Sequence, residues 1–187
     1  GFDRERWRQR WGVGSNETLL GYFGFLHPSK GSEDLLQAVS RLKKRDVPIR
    51  LLMIGGQTGS SDPTNQVFAA EMATLITRLG IQDEVLWTGY VTPEEVSANL
   101  LVTDICILPY RDGASLRRGS LMAALAHSRP IITTTPAVEI PELRHRENIY
   151  LVPANAPVAL AEAVITLLEK PALRERLRVG AGQLAQT

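Results

Sequence analysis

Six short apolar runs divide the chain, and longer segments with helical periodicity lie between them. The runs are continuous rather than alternating, as in Ile105–Leu108, ICIL. Strands covered on both faces have this pattern, whereas strands with one solvent-facing side alternate apolar and polar residues. The sequence therefore predicts an α/β fold, a doubly wound parallel sheet of about six strands with helices on both faces. The predicted strands are Thr18–Leu26, Pro48–Ile54, Glu84–Val91, Ile105–Leu108, Pro130–Thr134 and Ile149–Pro153.

Capping residues and prolines mark where the intervening helices begin and end. Pro93 follows Thr92 and precedes two glutamates, which is the pattern of a capped helix start. Gly80 is predicted to be a C-cap and Asn155 an N-cap. The predicted helices run from Ser32 or Glu33 to about Lys44, from Val67 to Leu79, from Pro93, from near Ser115, from Pro157 to Glu169, and from Pro171.

The segment Asp112–Pro130 joins two of the apolar runs and suggests a binding site. Its helix is predicted to begin near Ser115, whose hydroxyl would cap the first turn. Arg117 and Arg118 would then lie in that turn, where the positive end of the helix dipole disfavours cations. Two arginines there indicate a bound anion, because free amides and guanidinium groups together hold phosphate well. Solvation of both side chains is the alternative interpretation.

The carboxyl ends of parallel strands meet at one edge of a sheet, where the ligands of such folds bind. Lys30 and the arginine pair supply positive charge to this rim, and Glu139 and Glu142 supply acceptors for sugar hydroxyls. The sequence has no GxGxxG directly after the first strand and no GxxxxGK[ST]. The rim is therefore predicted to seat a nucleotide diphosphate without either motif. The loops predicted to form it are Gly24–Gly31, Gly55–Gly59, Gly89–Thr92, Pro109–Gly119 and Thr135–Glu142.

Charge and cysteine content argue against several other classes of function. A net charge of +1 over 187 residues gives no reason to expect nucleic acid or a membrane surface as partner. No apolar run approaches the roughly 20 residues of a transmembrane helix. Three scattered histidines without ligand spacing argue against a zinc site, so no metal is predicted. Cys106 lies in an apolar strand and is predicted to be core filler.

The order of these motifs resembles the C-terminal, donor-binding domain of group 1 glycosyltransferases with the GT-B fold. The resemblance covers roughly residues 15–170 and implies a Rossmann-like domain that forms one half of that fold. Residues 1–14 would be an interdomain segment, and residues 171–187 a C-terminal helix that is cut short. The matching pieces are Gly24-Phe25-Leu26 with Lys30-Gly31, LLMIGG, LGIQDEVLWTGYV, Asp104 in TDICILPY, MAALAHSRPIITT, Ile140-Pro141-Glu142 and Glu147-Asn148.

Two departures from the family pattern affect the donor site. The arginine that the family places after its first-strand glycine is Phe25 here, which removes one expected phosphate ligand. The family's two glutamates, which are separated by seven residues across the central loop, are replaced by Ser115 and Ala123. In the family the first contacts the donor sugar and the second holds the ribose. A divergent branch with rebuilt donor recognition is expected rather than a domain without function.

By this resemblance the parent protein would move a sugar, as a hexosyltransferase, from a nucleotide diphosphate donor to an acceptor. The donor would be a substrate, with no tightly bound cofactor, and an N-terminal acceptor-binding domain in cis would be missing. The fragment alone is expected to be inactive. A cytoplasmic location is expected, with peripheral membrane contact through the missing domain as an addition. The alternatives are a non-catalytic binding module of the same fold and a nucleotide-sugar epimerase-like enzyme.

Several predicted donor-site residues also have plain structural interpretations. Lys30 would otherwise be a solvated lysine, Tyr90 an exposed aromatic residue, and Asp112 the start of an Asx-turn. Gly55 and Gly56 would otherwise be turn glycines. No catalytic residue is assigned within this chain, and the predicted donor-binding residues are Gly24, Lys30, Gly55, Gly56, Tyr90, Val91, Asp112, Ser115, Arg117, Arg118, Gly119 and Glu139.

Overall fold

A computed structural model describes residues 1–56 and 63–187, so part of the predicted Gly55–Gly59 loop lies outside the described residues. Its six strands form one parallel sheet in the order β3-β2-β1-β4-β5-β6. The doubly wound, Rossmann-like prediction is confirmed. The strands are β1 (Thr18–Phe23), β2 (Ile49–Ile54), β3 (Val85–Trp87), β4 (Ile105–Leu108), β5 (Ile131–Thr134) and β6 (Tyr150–Val152).

Helices cover both faces of this sheet, as the continuous apolar runs predicted. The helices are α1 (Arg4–Arg10), α2 (Ser32–Lys44), α3 (Pro63–Leu79), α4 (Pro93–Val102), α5 (Gly119–Ala126), α6 (Pro157–Glu169) and α7 (Pro171–Ala185). Successive residues of a strand enter opposite cores: Ile105 and Ile107 pack with α2, α3 and α6, whereas Cys106 and Leu108 pack with α4 and α5. Cys106 is fully buried, so its prediction as core filler is confirmed.

Some predicted element ends are confirmed and others are wrong. The Thr92 hydroxyl accepts a hydrogen bond from the amide of Glu95, whose carboxylate accepts one from the Thr92 amide, so the predicted cap of α4 is confirmed. Asn155 does not cap α6, because the N-cap residue is Ala156 without a side-chain bond. Asn155 instead adopts a positive φ of 55° in the preceding turn. Most strands are shorter than predicted: β1 and β3 end before the rim residues 24–26 and 88–91, whereas β2 and β5 begin one residue after the predicted proline.

The amino-terminal segment packs against the sheet through α1. Arg8 is buried, and its guanidinium donates to the Asp104 carboxylate over 3.0 Å and to two backbone carbonyls. Arg4 pairs with the same carboxylate, which also accepts the amide of Leu19 at the start of β1. One carboxylate thus ties α1 to the amino edge of the sheet. Within the described residues, no helix is long and apolar enough to cross a membrane.

Candidate functional site

The candidate site lies where the connections of the sheet change direction, between β1 and β4. Both strands end at the same edge, and crevices at such points bind ligands in open α/β sheets. The loop after β4 is fixed to the loop after β1, because the amide of Arg111 donates to the carbonyl of Ser29 over 2.8 Å. Gly31 has a φ of 75°, and a Cβ added there would lie 1.9 Å from the carbonyl oxygen of Pro109. The two loops therefore touch backbone to backbone.

The start of α5 differs from the prediction. The helix begins at Gly119, so Arg117 and Arg118 precede its first turn and Ser115 does not cap it. The Ser115 hydroxyl instead accepts the amide of Arg117 over 3.2 Å, and the Ser115 carbonyl accepts the amide of Arg118 over 3.1 Å. These bonds form a separate turn, and the extended backbone of Arg118, with ψ of 116°, ends it before the helix begins. The prediction was wrong because this local turn competes with helix for the same amides.

A cleft of about 650 Å³ opens at this edge, within the roughly 300–1,000 Å³ of small-molecule sites. Eight of the predicted donor-site residues line it: Gly24, Lys30, Gly55, Gly56, Tyr90, Val91, Arg118 and Gly119. They come from four of the five predicted rim loops, so the strand ends bring them together as expected. Tyr90 lies at the mouth, with 89% of its surface exposed.

The other four predicted residues do not line the cleft. Arg117 and Glu139 are exposed, and Ser115 is half-buried in the turn before α5. Asp112 lies next to the cleft and forms an ion pair with Arg118. The two neighbouring arginines, which the sequence could not distinguish, therefore differ: one guanidinium enters the cleft and the other does not.

Lys30 and Arg118 are the charged side chains of the described cleft lining. Burial lowers the pKa of Lys30 below its ordinary value, the nearby Arg118 guanidinium lowers it further, and the Asp112 carboxylate partly opposes both. The Lys30 ammonium makes no hydrogen bond or ion pair with any other described residue, and its backbone amide donates to the carbonyl of His27. Two cations near each other, one of them unpartnered, form a site suited to an anion with more than one charge.

Arg118 is held by its neighbours on two sides. Its guanidinium carbon lies 4.6 Å from the centre of the Tyr110 ring, which is a cation–π contact. One of its terminal nitrogens donates to the Asp112 carboxylate, and this bond lowers the pKa of Asp112. Tyr110 is itself buried, which raises its pKa to about 12, and its hydroxyl lies 2.5 Å from the Ser120 hydroxyl. The Arg118 guanidinium thus packs on an aromatic ring that is itself held in place.

Sequence reasoning missed most of the apolar wall of the cleft. Pro93 and Val96 come from the first turn of α4, and Ala123 comes from α5, at the position aligned with the second glutamate of the family. Phe23 and Phe25 also line the cleft. The spacing of Pro93 and Val96 puts both on one face of a helix that starts at the rim, so the capping motif contained a usable signal. The role of Tyr110 required the three-dimensional arrangement.

His127 lies at the carboxyl end of α5. Its Nδ1 lies 2.7 Å from the carbonyl oxygen of Ala123, near the end of α5, and its Nε2 lies 3.0 Å from the Ser97 hydroxyl. A carbonyl can only accept, so Nδ1 carries the proton and donates. This histidine joins α5 to α4 and lies outside the cleft lining.

Comparison with models of protein families identifies the family of this chain. Residues 17–170 match the family model described as glycosyl transferases group 1. The chain belongs to this family. The matched range agrees closely with the residues that carried the resemblance in the sequence.

Curated relatives span the whole chain at low identity. D-inositol 3-phosphate glycosyltransferase of Corynebacterium efficiens is 29% identical over 176 residues, which are 92% of this chain and 40% of the relative. Alpha-D-kanosaminyltransferase of Streptomyces kanamyceticus is 24% identical over 183 residues, which are 97% of this chain and 44% of the relative. The chain therefore spans about two fifths of the length of these relatives.

Solved structures share the fold. Anabaena HepE in complex with UDP-glucose superposes with a TM-score of 0.82 at 20% identity, covering 98% of this chain and 47% of that protein. The C-terminal domain of a group 1 glycosyl transferase, LpcC from Francisella tularensis, gives a TM-score of 0.80 at 19% identity and covers all of this chain and 92% of that domain. The predicted architecture, one half of a GT-B fold, is confirmed.

Proposed function

We propose that this chain is the donor-binding domain of a glycosyltransferase that moves a sugar from a nucleotide diphosphate to an acceptor. The observation that carries the proposal is the pair of cations, Lys30 and Arg118, in the cleft at the carboxyl edge of the sheet. The diphosphate of an activated sugar has the charge and extent to bind both. A neighbour of the same fold was crystallised with UDP-glucose, which supports a hexose donor.

The chemistry expected of this half of the enzyme is electrostatic. When the bond between the sugar and the diphosphate breaks, negative charge develops on the departing phosphate oxygen. A fixed guanidinium and a half-buried ammonium stabilise that charge more in the transition state than in the bound donor, which accelerates the reaction. The apolar wall formed by Val91, Pro93, Val96 and Ala123 would pack against the uncharged part of the donor.

The acceptor is proposed to bind to a second domain of the longer protein. The structural neighbour with UDP-glucose is about twice as long as the matched region, as this proposal requires. The chain alone is accordingly expected to bind donor and to transfer no sugar.

Calorimetric titration of the chain with UDP, GDP and ADP tests the proposal. Replacing Lys30 or Arg118 with alanine removes a charge-assisted contact worth about 1.5–3 kcal/mol, so binding should weaken about 10- to 150-fold. Arg117→Ala is the matched control, because it removes an equal charge one residue away on an exposed side chain. We expect it to change the affinity less than threefold, an effect of long-range charge alone.

Two results would contradict the proposal. Equal losses of nucleotide affinity in Arg117→Ala and Arg118→Ala would mean that binding does not depend on the residues of the cleft. No binding of any of the three nucleotides at millimolar concentration would favour a non-catalytic module, for which Ala123 in place of a ribose-binding acid is the supporting observation.

A further inference from the structure

We propose that Asp112 is a positioning residue that turns the Arg118 guanidinium toward the donor diphosphate. The inference rests on the proposed function, because it assigns a role within the same cleft. Asp112 does not line the cleft, whereas Arg118 does, so the carboxylate holds the guanidinium from outside the site.

The geometry leaves part of the guanidinium available to a ligand. The Tyr110 ring contacts one face at 4.6 Å from the ring centre, and Asp112 accepts a hydrogen bond from one terminal nitrogen. A guanidinium carries five N–H donors in a planar fork. Among the described residues Arg118 makes no other side-chain hydrogen bond, so its remaining donors can turn to the cleft. The Tyr110 ring and the Asp112 carboxylate together fix the plane of the Arg118 guanidinium.

Removing Asp112 should change the affinity for the anion in opposite directions, depending on whether the carboxylate acts through its charge or by positioning Arg118. A carboxylate beside an anion site repels the anion, so removal of Asp112 should strengthen binding if its charge alone matters. If the carboxylate positions Arg118, its removal frees the side chain to rotate, and the ligand must then order it at an entropic cost. The sign of the change in affinity therefore distinguishes the two roles.

Asp112 itself is 57% exposed in its side chain and lies in a loop that is anchored elsewhere. Arg111, the residue before it, donates to the carboxylates of Asp34 and Glu33 on α2 and fixes the loop without Asp112. Replacement of Asp112 should therefore leave the fold intact. Thermal unfolding of each variant checks this point.

The test measures affinity for inorganic pyrophosphate and for UDP in three variants of the chain. Asp112→Ala should bind both about two- to fivefold more weakly, the range expected for loss of an exposed ion pair. Asp112→Asn keeps an acceptor for Arg118 and loses the charge, so it should bind as tightly as the wild type or tighter. Asp83→Ala removes an exposed carboxylate at the opposite edge of the sheet and should have no effect.

A double-mutant cycle completes the test. With Arg118→Ala already present, Asp112→Ala has no guanidinium to release, so it should leave affinity unchanged or increase it. Tighter binding in Asp112→Ala alone, or the same loss in the presence and absence of Arg118, would overturn the inference. If the wild type bound neither ligand, the proposed function would fail instead, so the two failures are distinguishable.

Discussion

Replacing Lys30 with methionine should separate binding from stability. Lys30 is half-buried beside Arg118, and its ammonium has no partner among the described residues. Methionine keeps an unbranched side chain of similar length and removes only the charge. In the free chain this change removes the repulsion with Arg118 together with a smaller attraction to Asp112, and it breaks no hydrogen bond. We therefore expect the free energy of unfolding to stay within about 0.5 kcal/mol of the wild type or to rise.

The effect on ligand binding should be much larger. An ammonium that donates to phosphate oxygens contributes about 1.5–3 kcal/mol, so the dissociation constant for UDP should rise about 10- to 150-fold. Calorimetric titration gives the affinity, and urea denaturation followed by circular dichroism gives the stability. Lys44→Met is the control, because Lys44 is exposed at the far end of α2.

The opposite pattern would refute the reasoning. If Lys30→Met lost more than about 1 kcal/mol of stability and still bound UDP normally, Lys30 would be a structural residue rather than a ligand-binding one. An equal loss of affinity in Lys44→Met would show that net charge, and not the cleft, controls binding.

Three further predictions concern pH, backbone packing and the amino edge of the sheet. Because the pKa of Lys30 is lowered, its charge is lost at a lower pH than for an ordinary lysine, so UDP affinity should fall through that pH range in the wild type but not in Lys30→Met. In the same range the unliganded folded chain binds fewer protons than the unfolded chain, so its stability should increase as the pH rises. In Gly31→Ala the new methyl group lies against a backbone carbonyl, whereas in Gly80→Ala it lies in open space at a similar positive φ. Urea denaturation should therefore give a loss of stability of about 1–2 kcal/mol for Gly80→Ala and a clearly larger loss for Gly31→Ala. Asp104→Asn leaves the buried arginine of α1 without its counter-ion and should cost about 3 kcal/mol of stability, measured by urea denaturation. Glu175→Gln, which removes a fully exposed pair, is the control and should cost clearly less.

The order of strands and helices could be predicted from sequence because burial on both faces leaves a continuous apolar run. Ile105–Leu108 was predicted with its observed bounds, since all four of its residues are buried. Local hydrogen bonding was harder to predict. Ser115 and Asn155 both have side chains that can cap a helix, but each lies in a tighter turn that ends before the helix begins. Composition does not show which of two competing local structures is more stable.

The candidate site could likewise be predicted only in part from the sequence. Gly24, Gly55 and Gly56 reached the cleft because they directly follow strands, and Lys30 lies farther along the loop after β1; a strand end fixes the place of the loop that follows it. Arg117 and Arg118 could not be separated, because their side-chain directions depend on the turn that Ser115 forms and on the extended backbone of Arg118 that ends it. Nor could the sequence show that Asp112 and Tyr110 converge on Arg118, since that contact depends on how the loop closes.

The contact between Gly31 and the Pro109 carbonyl bears on how such a site can change over time. The spacing of the loops that carry residues 30 and 118 is set by main chain, so exchanges at these two positions leave the distance between them nearly constant. Under the proposed function, donor preference can therefore diverge by replacing side chains alone. Substitution of the glycine would instead shift both loops at once and disturb every ligand contact together.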